Sequence, residues 1–294
     1  MVIATGFFDG VHRGHRLVVE QLVKAAKERD EQSLVVTFRP HPRNVLQSDA
    51  RNLRLLTSLE EKKELLKGLG VDRIEVLPFT KAFSRLSTEA YLRDYLIGRF
   101  GGKAILIGYD NRMGSDLLTP DQIEPLARSL GLDVIRTKPV NADTSLAISS
   151  TKIRALLARG DVTAAAEMLG YAYTLHGVVV AGNQFGRTIG FPTANMQLYE
   201  PLKQLPGNGA YQVEAETVGL RLKGMCNIGI RPTVSDAKAL TIETNLFDFD
   251  EDIYGLDLKV HFLRKIRDER KFATVEELKT QLEADREFCR SVEI

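Results

Sequence analysis

Residues 6–22 read GFFDGVHRGHRLVVEQL. Asp9-Gly10 is turn chemistry, the β-rich run 2–7 ends at it, and an amphipathic stretch follows, so the segment reads as a strand handing over to a helix. Gly14 removes a side chain where that helix starts, leaving free backbone N–H groups and the positive end of the helix dipole facing outward. His12 and His15, three apart around the first turn, can both project toward one anion. Imidazole N–H donors suit the negative charge that builds on a phosphoryl group in transfer. Two histidines decorating a surface turn would have the same spacing. Three of the five histidines, however, fall within the first 41 residues beside glycine-rich turns, which favours a phosphate clamp.

Outward from this turn, the first half alternates β-rich runs at 2–7, 33–38, 73–77, 103–107 and 133–137 with longer amphipathic stretches, the pattern of a parallel α/β sheet. Capping boxes mark two helix starts, Ser58 with Glu61 and Thr119 with Gln122, the second followed by Pro120. Two more helices are predicted at 151–159 and 161–169, and the texture changes at Gly170. The expected domains are therefore 1–169 and 170–294. In the second, TLHGVVVA, AYQVEAET, LRLKGMCNIG, ALTIETNLFDF and LDLKVHFL read as strands, and TVEELKTQLEADREFCR as a helix capped by Thr274 with Glu277. That predicts a small antiparallel β-barrel closed by a C-terminal helix, which is read as packing.

A chain of 294 residues allows two domains of roughly 150 residues, each with its own core. Forty basic against 39 acidic residues give a net charge of +1, which argues against nucleic acid or an anionic membrane as the main partner. Self-association is compatible with the reading. Cys226 and Cys289 have no His or Cys near enough to complete a metal site and form no disulfide framework, so a reducing cytoplasm is expected. No run approaches 18 apolar residues, and MVIATGFF lacks the charged lead-in of a signal peptide. Gly182 and Gly186 in GNQFGRTIGFPTAN are too close for a P-loop, with Arg187 in place of its lysine.

A second hydroxyl-rich helix start, ISSTKIR at 148–154, joins the first motif. Together, GFFDGVHRGH and ISSTKIR resemble the Rossmann-like HxGH nucleotidyltransferases, specifically the adenylyltransferase half of bacterial bifunctional riboflavin kinase/FAD synthetases. The resemblance implies that His12, His15 and Gly14 steady the phosphates under attack, and that Ser149, Ser150, Thr151 and Arg154 hold the outer phosphates of ATP. FRPHP at 38–42 is similar to a segment shaping the flavin pocket, which makes Phe38 a flavin contact. GYDNRMG at 108–114 resembles the nucleotide loop, with Asp110 at the phosphates, although Asn111 and Met113 stand where aromatic residues are usual. In such enzymes the FMN phosphate itself attacks ATP, so no protein nucleophile is needed.

GNQFGRTIGFPTAN at 182–195 looks like the phosphate and metal loop of bacterial riboflavin kinases. By that resemblance the backbone at Gly182, Gly186, Arg187 and Gly190 approaches ATP, and Thr193 and Asn195 serve Mg²⁺ and the phosphates. Alternation in LTIETNLF puts Thr241, Glu243, Asn245 and Phe247 on one face. The family's catalytic base is a glutamate on a matching strand, so Glu243 is assigned to take the ribityl proton. NIGIRPTV at 227–234 and IRDERKF at 266–272 are similar to segments lining the flavin site, with Arg267 a flavin contact. The resemblance thus implies an enzyme that phosphorylates riboflavin to FMN and adenylylates FMN to FAD. Two alternatives stand beside it: a kinase whose first half is weakened at Asn111 and Met113, and a flavin carrier without turnover. A tRNA synthetase sharing the HxGH element is disfavoured by size and neutral charge.

Overall fold

The computed structural model describes residues 1–46, 53–108, 111–137, 148–231 and 239–291. Two compact units follow one another, Met1–Ser149 and Ser150–Ile294.

In the first unit, β1 (Val2–Thr5), β2 (Ser33–Arg39), β3 (Arg73–Pro78), β4 (Ala104–Ile107) and β5 (Asp133–Arg136) lie within two residues of the predicted strands. All pair in parallel, in the order β3-β2-β1-β4-β5. Helices α1 (Arg13–Glu28), α2 (Pro42–Leu46), α3 (Leu59–Gly68), α4 (Thr88–Ala90) and α5 (Pro120–Ser129) connect them. Successive strand residues point to opposite faces, and both faces are buried. Ile3, Leu34, Val36 and Ile105 pack on Leu92, Leu96 and Ile123, while Val2, Ala4, Val35 and Leu106 pack on Val19, Leu22 and Leu66. The strand order reverses between β1 and β4, and ligands of open parallel sheets bind outside the carboxyl ends of the strands at such a switch point. The turn carrying His12 and His15 leaves β1 at that end.

Ser58 and Glu61 form the predicted capping box on α3, with the Glu61 amide donating to Ser58 Oγ at 3.1 Å and the Ser58 amide donating to Glu61 Oε2 at 2.7 Å. At α5 the Thr119 amide donates to Gln122 Oε1 at 3.0 Å. The sequence reading did not anticipate the nine-residue π-helix Tyr91–Arg99 that continues α4. Its wider winding buries Tyr91, Leu92 and Leu96 on the sheet.

The second unit begins with α6 (Ser150–Ala158) and α7 (Val162–Leu169). Gly170 ends α7 in the left-handed conformation at φ 82°, open to glycine without steric penalty. A closed six-stranded barrel follows: β6 (Tyr173–Val180), β7 (Ala194–Leu198), β8 (Gly209–Thr217), β9 (Leu220–Arg231), β10 (Ala239–Leu246) and β11 (Asp257–Arg267), in the order β10-β7-β6-β11-β8-β9 with every pair antiparallel. Tyr173, Leu175, Tyr211, Val213, Val260 and Phe262 are buried. The expected α/β sheet and antiparallel barrel with a C-terminal helix are both present. β7 was missed: five residues following a Gly-Phe-Pro turn carry too little alternation to register as a strand. α8 (Phe185–Thr188) lies in the loop before it, and α9 (Val275–Ser291) packs Leu282 and Cys289 against Phe191, Met225 and Phe247. Both cysteines are free and buried.

Candidate functional site

In the first unit the turn after β1 is strained. Phe8, Gly10 and Val11 have φ of 51°, 80° and 34°, and a β-branched residue with positive φ persists only where its surroundings over-determine it. Asp9 provides that constraint: its buried carboxylate accepts from the amides of Leu56 at 3.0 Å and Thr57 at 3.2 Å, and the Gly10 amide donates to Thr57 Oγ1 at 3.1 Å. The turn is thereby stapled to the segment leading into α3.

His12 caps α1, its Nδ1 accepting from the His15 amide at 3.3 Å. The two imidazoles stack, centroids 3.7 Å apart and planes 15° apart, with Phe8 edge-on to His15 at 5.3 Å. A Cβ at Gly14 would lie 3.3 Å from His12 Nδ1, so glycine keeps that approach clear. Burial first, then the neighbouring His12 and Lys62, hold the His15 pKa well below the usual histidine value, so it is neutral at physiological pH. His15 Nδ1 is buried with no hydrogen-bond partner, the kind of orphan that a ligand satisfies. Lys62 on α3 escaped the sequence reading. It is 3% exposed, its Nζ lies 3.7 Å from the Phe7 ring centroid and 3.5 Å from Thr37 Oγ1, and burial lowers its pKa to about 8 against the opposing pull of Asp9.

Phe38 ends β2 within an aromatic cluster, its centroid 5.8 Å from Phe79, 5.7 Å from Phe83 and 6.4 Å from Tyr91. Asp110 lies outside the described residues. Met113 is buried in the sheet core of the first unit. Ser149 is the last residue of the first unit, Ser150 and Thr151 open α6, and Arg154 lies one turn further on.

In the second unit the antiparallel register sets Glu243 of β10 directly opposite Asn195 of β7 and Asn227 of β9. A cavity of about 470 Å³, a volume typical of small-molecule sites, is lined by Glu243, Asn195, Asn227, Arg267, Phe272 and Gly186 among others. A smaller one of about 150 Å³ is lined by Arg187, Thr244, Leu246 and Asp252. Strand alternation thus turns Glu243 and Asn245 to the larger cavity and Thr244 and Leu246 to the smaller, and Thr193 borders both. Asn245 Nδ2 donates to the Pro192 carbonyl at 2.7 Å, tying β10 to that loop. A Cβ on Gly182 would sit 2.2 Å from Asn195 Nδ2, and one on Gly186 2.2 Å from the Phe191 carbonyl. Gly190 adopts φ 86°. Cys226 also lines the larger cavity, but burial pushes its thiol up to about 12, so it is no nucleophile.

The C-terminal helix does more than the packing expected of it. Arg267 donates through Nε to both oxygens of Asp285 on α9, at 3.2 and 2.9 Å, and its second guanidinium nitrogen lies 2.8 Å from Oδ2. Gln281 Nε2 adds a 2.9 Å bond to Oδ1. Asp285 is therefore a cavity residue that sequence reasoning missed. Among the described residues no cluster of three or more His, Cys, Asp or Glu could hold a metal ion.

A family model described as FAD synthetase matches residues 1–152, and one described as riboflavin kinase matches residues 169–293. Bifunctional riboflavin kinase/FMN adenylyltransferases of Bacillus subtilis and Escherichia coli K12 are 36% and 35% identical to this chain, over 293 and 289 residues, in each case covering 97% of this chain and 90% of the relative. A solved structure described as a macrolide-efflux protein from Streptococcus pneumoniae has a TM-score of 0.91 and 33% identity, covering 99% of this chain and 94% of its own.

Proposed function

The chain belongs to the bifunctional riboflavin kinase/FMN adenylyltransferase family, and we propose how its residues divide that work: 170–294 phosphorylate riboflavin to FMN, and 1–169 transfer AMP from ATP to FMN, giving FAD and pyrophosphate. The observation that carries the kinase assignment is the register pairing Glu243 with Asn195 on the larger cavity, while Thr193 borders both cavities. Riboflavin occupies the larger cavity, with Arg267 against the flavin, and ATP approaches from the glycine-rich side, its phosphates on the backbone at Gly182, Gly186, Arg187 and Gly190. Glu243 takes the proton of the ribityl hydroxyl as that oxygen bonds to the γ-phosphorus and the β,γ-bridging oxygen leaves with ADP.

Both family activities use ATP, typically with a divalent metal, and we assign that metal as Mg²⁺. A hydroxyl and an amide oxygen without a carboxylate cluster suit a hard cation that completes its shell with phosphate oxygens and water, and the missing Cβ at Gly182 leaves Asn195 room to serve it. Thr193 and Asn195 would hold the ion, which when bound neutralises phosphate charge.

In the first half, His12 and His15 steady the α-phosphate of ATP as the FMN phosphate attacks it and pyrophosphate departs, with Gly14 keeping the backbone accessible. Ser149, Ser150, Thr151, Arg154 and Asp110 are assigned to the remaining phosphates, and Phe38 to the flavin. No helix among the described residues is long and apolar enough to cross a membrane, and both family models name flavin enzymes, so the efflux description of the similar structure is not carried to this chain. We place the protein in the cytoplasm.

The test is incubation of the purified chain with riboflavin, ATP and Mg²⁺, followed by chromatography of riboflavin, FMN and FAD over time. FMN followed by FAD is expected. FMN alone would refute the first-half assignment, and flavin binding without product would leave a carrier.

A further inference from the structure

We infer that Lys62 is a positioning residue of the adenylylation site: its buried ammonium group, held between the Phe7 ring and Thr37 and within electrostatic reach of His15, supplies a fixed positive charge that favours phosphate at the His12–His15 pair. The inference rests on the adenylyltransferase reading of the first unit. Lys62 lies in the fourth position of α3, behind the capping box, where the neighbouring Glu60, Glu64 and Lys63 are partly or fully exposed. Of these charged residues only Lys62 turns inward, on the same side as the buried Leu66, leaving 3% of its surface in water.

Packing does not require a charge there, since a methionine would fill the same volume without desolvating an ammonium group. Three elements face the amine. The turn after β1 contributes Asp9, α1 contributes His15, and β2 contributes the uncharged Thr37. Asp9 is the only carboxylate among them, and its oxygens are already taken by the Leu56 and Thr57 amides. Burial outweighs its attraction, so the amine titrates at about 8 rather than near 10.5: it is still mostly cationic at pH 7, but its charge is poorly compensated before substrate arrives. An arriving phosphate reverses that balance, because its charge is worth most where water is excluded. The neutral His15 beside it donates or accepts a hydrogen bond but carries no charge, which leaves the cationic role to Lys62.

The test uses the full chain as wild type, Lys62→Met and Lys62→Arg. kcat/KM for FMN adenylylation is followed from pH 6 to 9.5, with riboflavin phosphorylation in the same preparations as control. Charge is lost as pH rises through the amine's pKa, so wild-type kcat/KM should fall above pH about 8, approaching tenfold per unit. Lys62→Arg should remain flat to pH 9. Lys62→Met should lose at least tenfold at pH 7, show no high-pH limb, keep full kinase activity and melt no lower than wild type. An active Lys62→Met with the wild-type limb, or a variant that melts lower and loses both activities in parallel, overturns the inference. A wild type without a limb that Lys62→Arg removes does the same. A wild-type chain that makes no FAD at any pH overturns the parent reading and this inference with it, whereas Lys62→Met making FAD with the wild-type kcat/KM at pH 7 overturns this inference alone.

Discussion

Asp285→Ala separates what α9 contributes to the kinase cavity from simple packing. The Asp285 side chain is 3% exposed and that of Arg267 19%, and the carboxylate accepts from Arg267 and Gln281. Breaking a fully buried ion pair by removing one partner costs about 3–5 kcal/mol, and an exposed pair contributes about 0–1 kcal/mol. Here the carboxylate is buried, while the guanidinium keeps one-fifth of its surface in water and its 3.2 Å bond to the Asp268 carbonyl. The loss should therefore fall near 2–3 kcal/mol, roughly a 30- to 150-fold change in an equilibrium constant. Urea titrations with each activity as the reporter of its own unit make the measurement. The kinase midpoint should drop and the KM for riboflavin rise, while the adenylyltransferase midpoint stays in place. Arg267→Met/Asp285→Ala should recover part of the stability lost by Asp285→Ala, because no unpaired buried charge remains. Unchanged kinase behaviour in Asp285→Ala, or a double variant no more stable than that single one, would refute the reasoning.

Glu243→Gln should lower riboflavin phosphorylation by about 10²–10⁴-fold with FMN adenylylation intact, measured by supplying FMN directly. Gly182→Ala places its Cβ 2.2 Å from Asn195 Nδ2, and only the end of that side chain must move. The urea midpoint should hardly change while kinase activity falls at least tenfold with a raised KM for ATP. His15 is held neutral in the folded protein by burial, so below about pH 6.5 the unfolded chain binds the extra proton and the folded one does not. That contribution to stability is full above pH 6.5 and is lost as pH falls below it. His15→Asn should therefore flatten the decline in the first unit's urea midpoint between pH 7.5 and 5.5, and an unchanged slope would refute the assignment.

Whatever depends on neighbouring residues was legible in the sequence. A capping box spans four residues, a strand announces itself by alternation, and the HxGH turn and GFPTAN loop are contiguous, so their chemistry could be read without coordinates. Alternation also put Glu243 and Asn245 on one face, the face that lines the larger cavity. The π-helix Tyr91–Arg99 stayed hidden because a helical hydrophobic pattern does not distinguish winding by one residue per turn.

Tertiary structure alone decided which distant side chains meet. Lys62 on α3 and Asp285 on α9 sit in charged, solvent-facing sequence contexts that predict exposure, yet each is buried against groups 18 or more positions away: Lys62 against Thr37, Asp285 against Arg267. Burial of a charge is a property of the packed open sheet and of the closed barrel, set by strand order and register. Local sequence specifies which residues can carry a charge, and only packing fixes which of them lose their water and so acquire shifted pKa values, paired geometry and a role at the site.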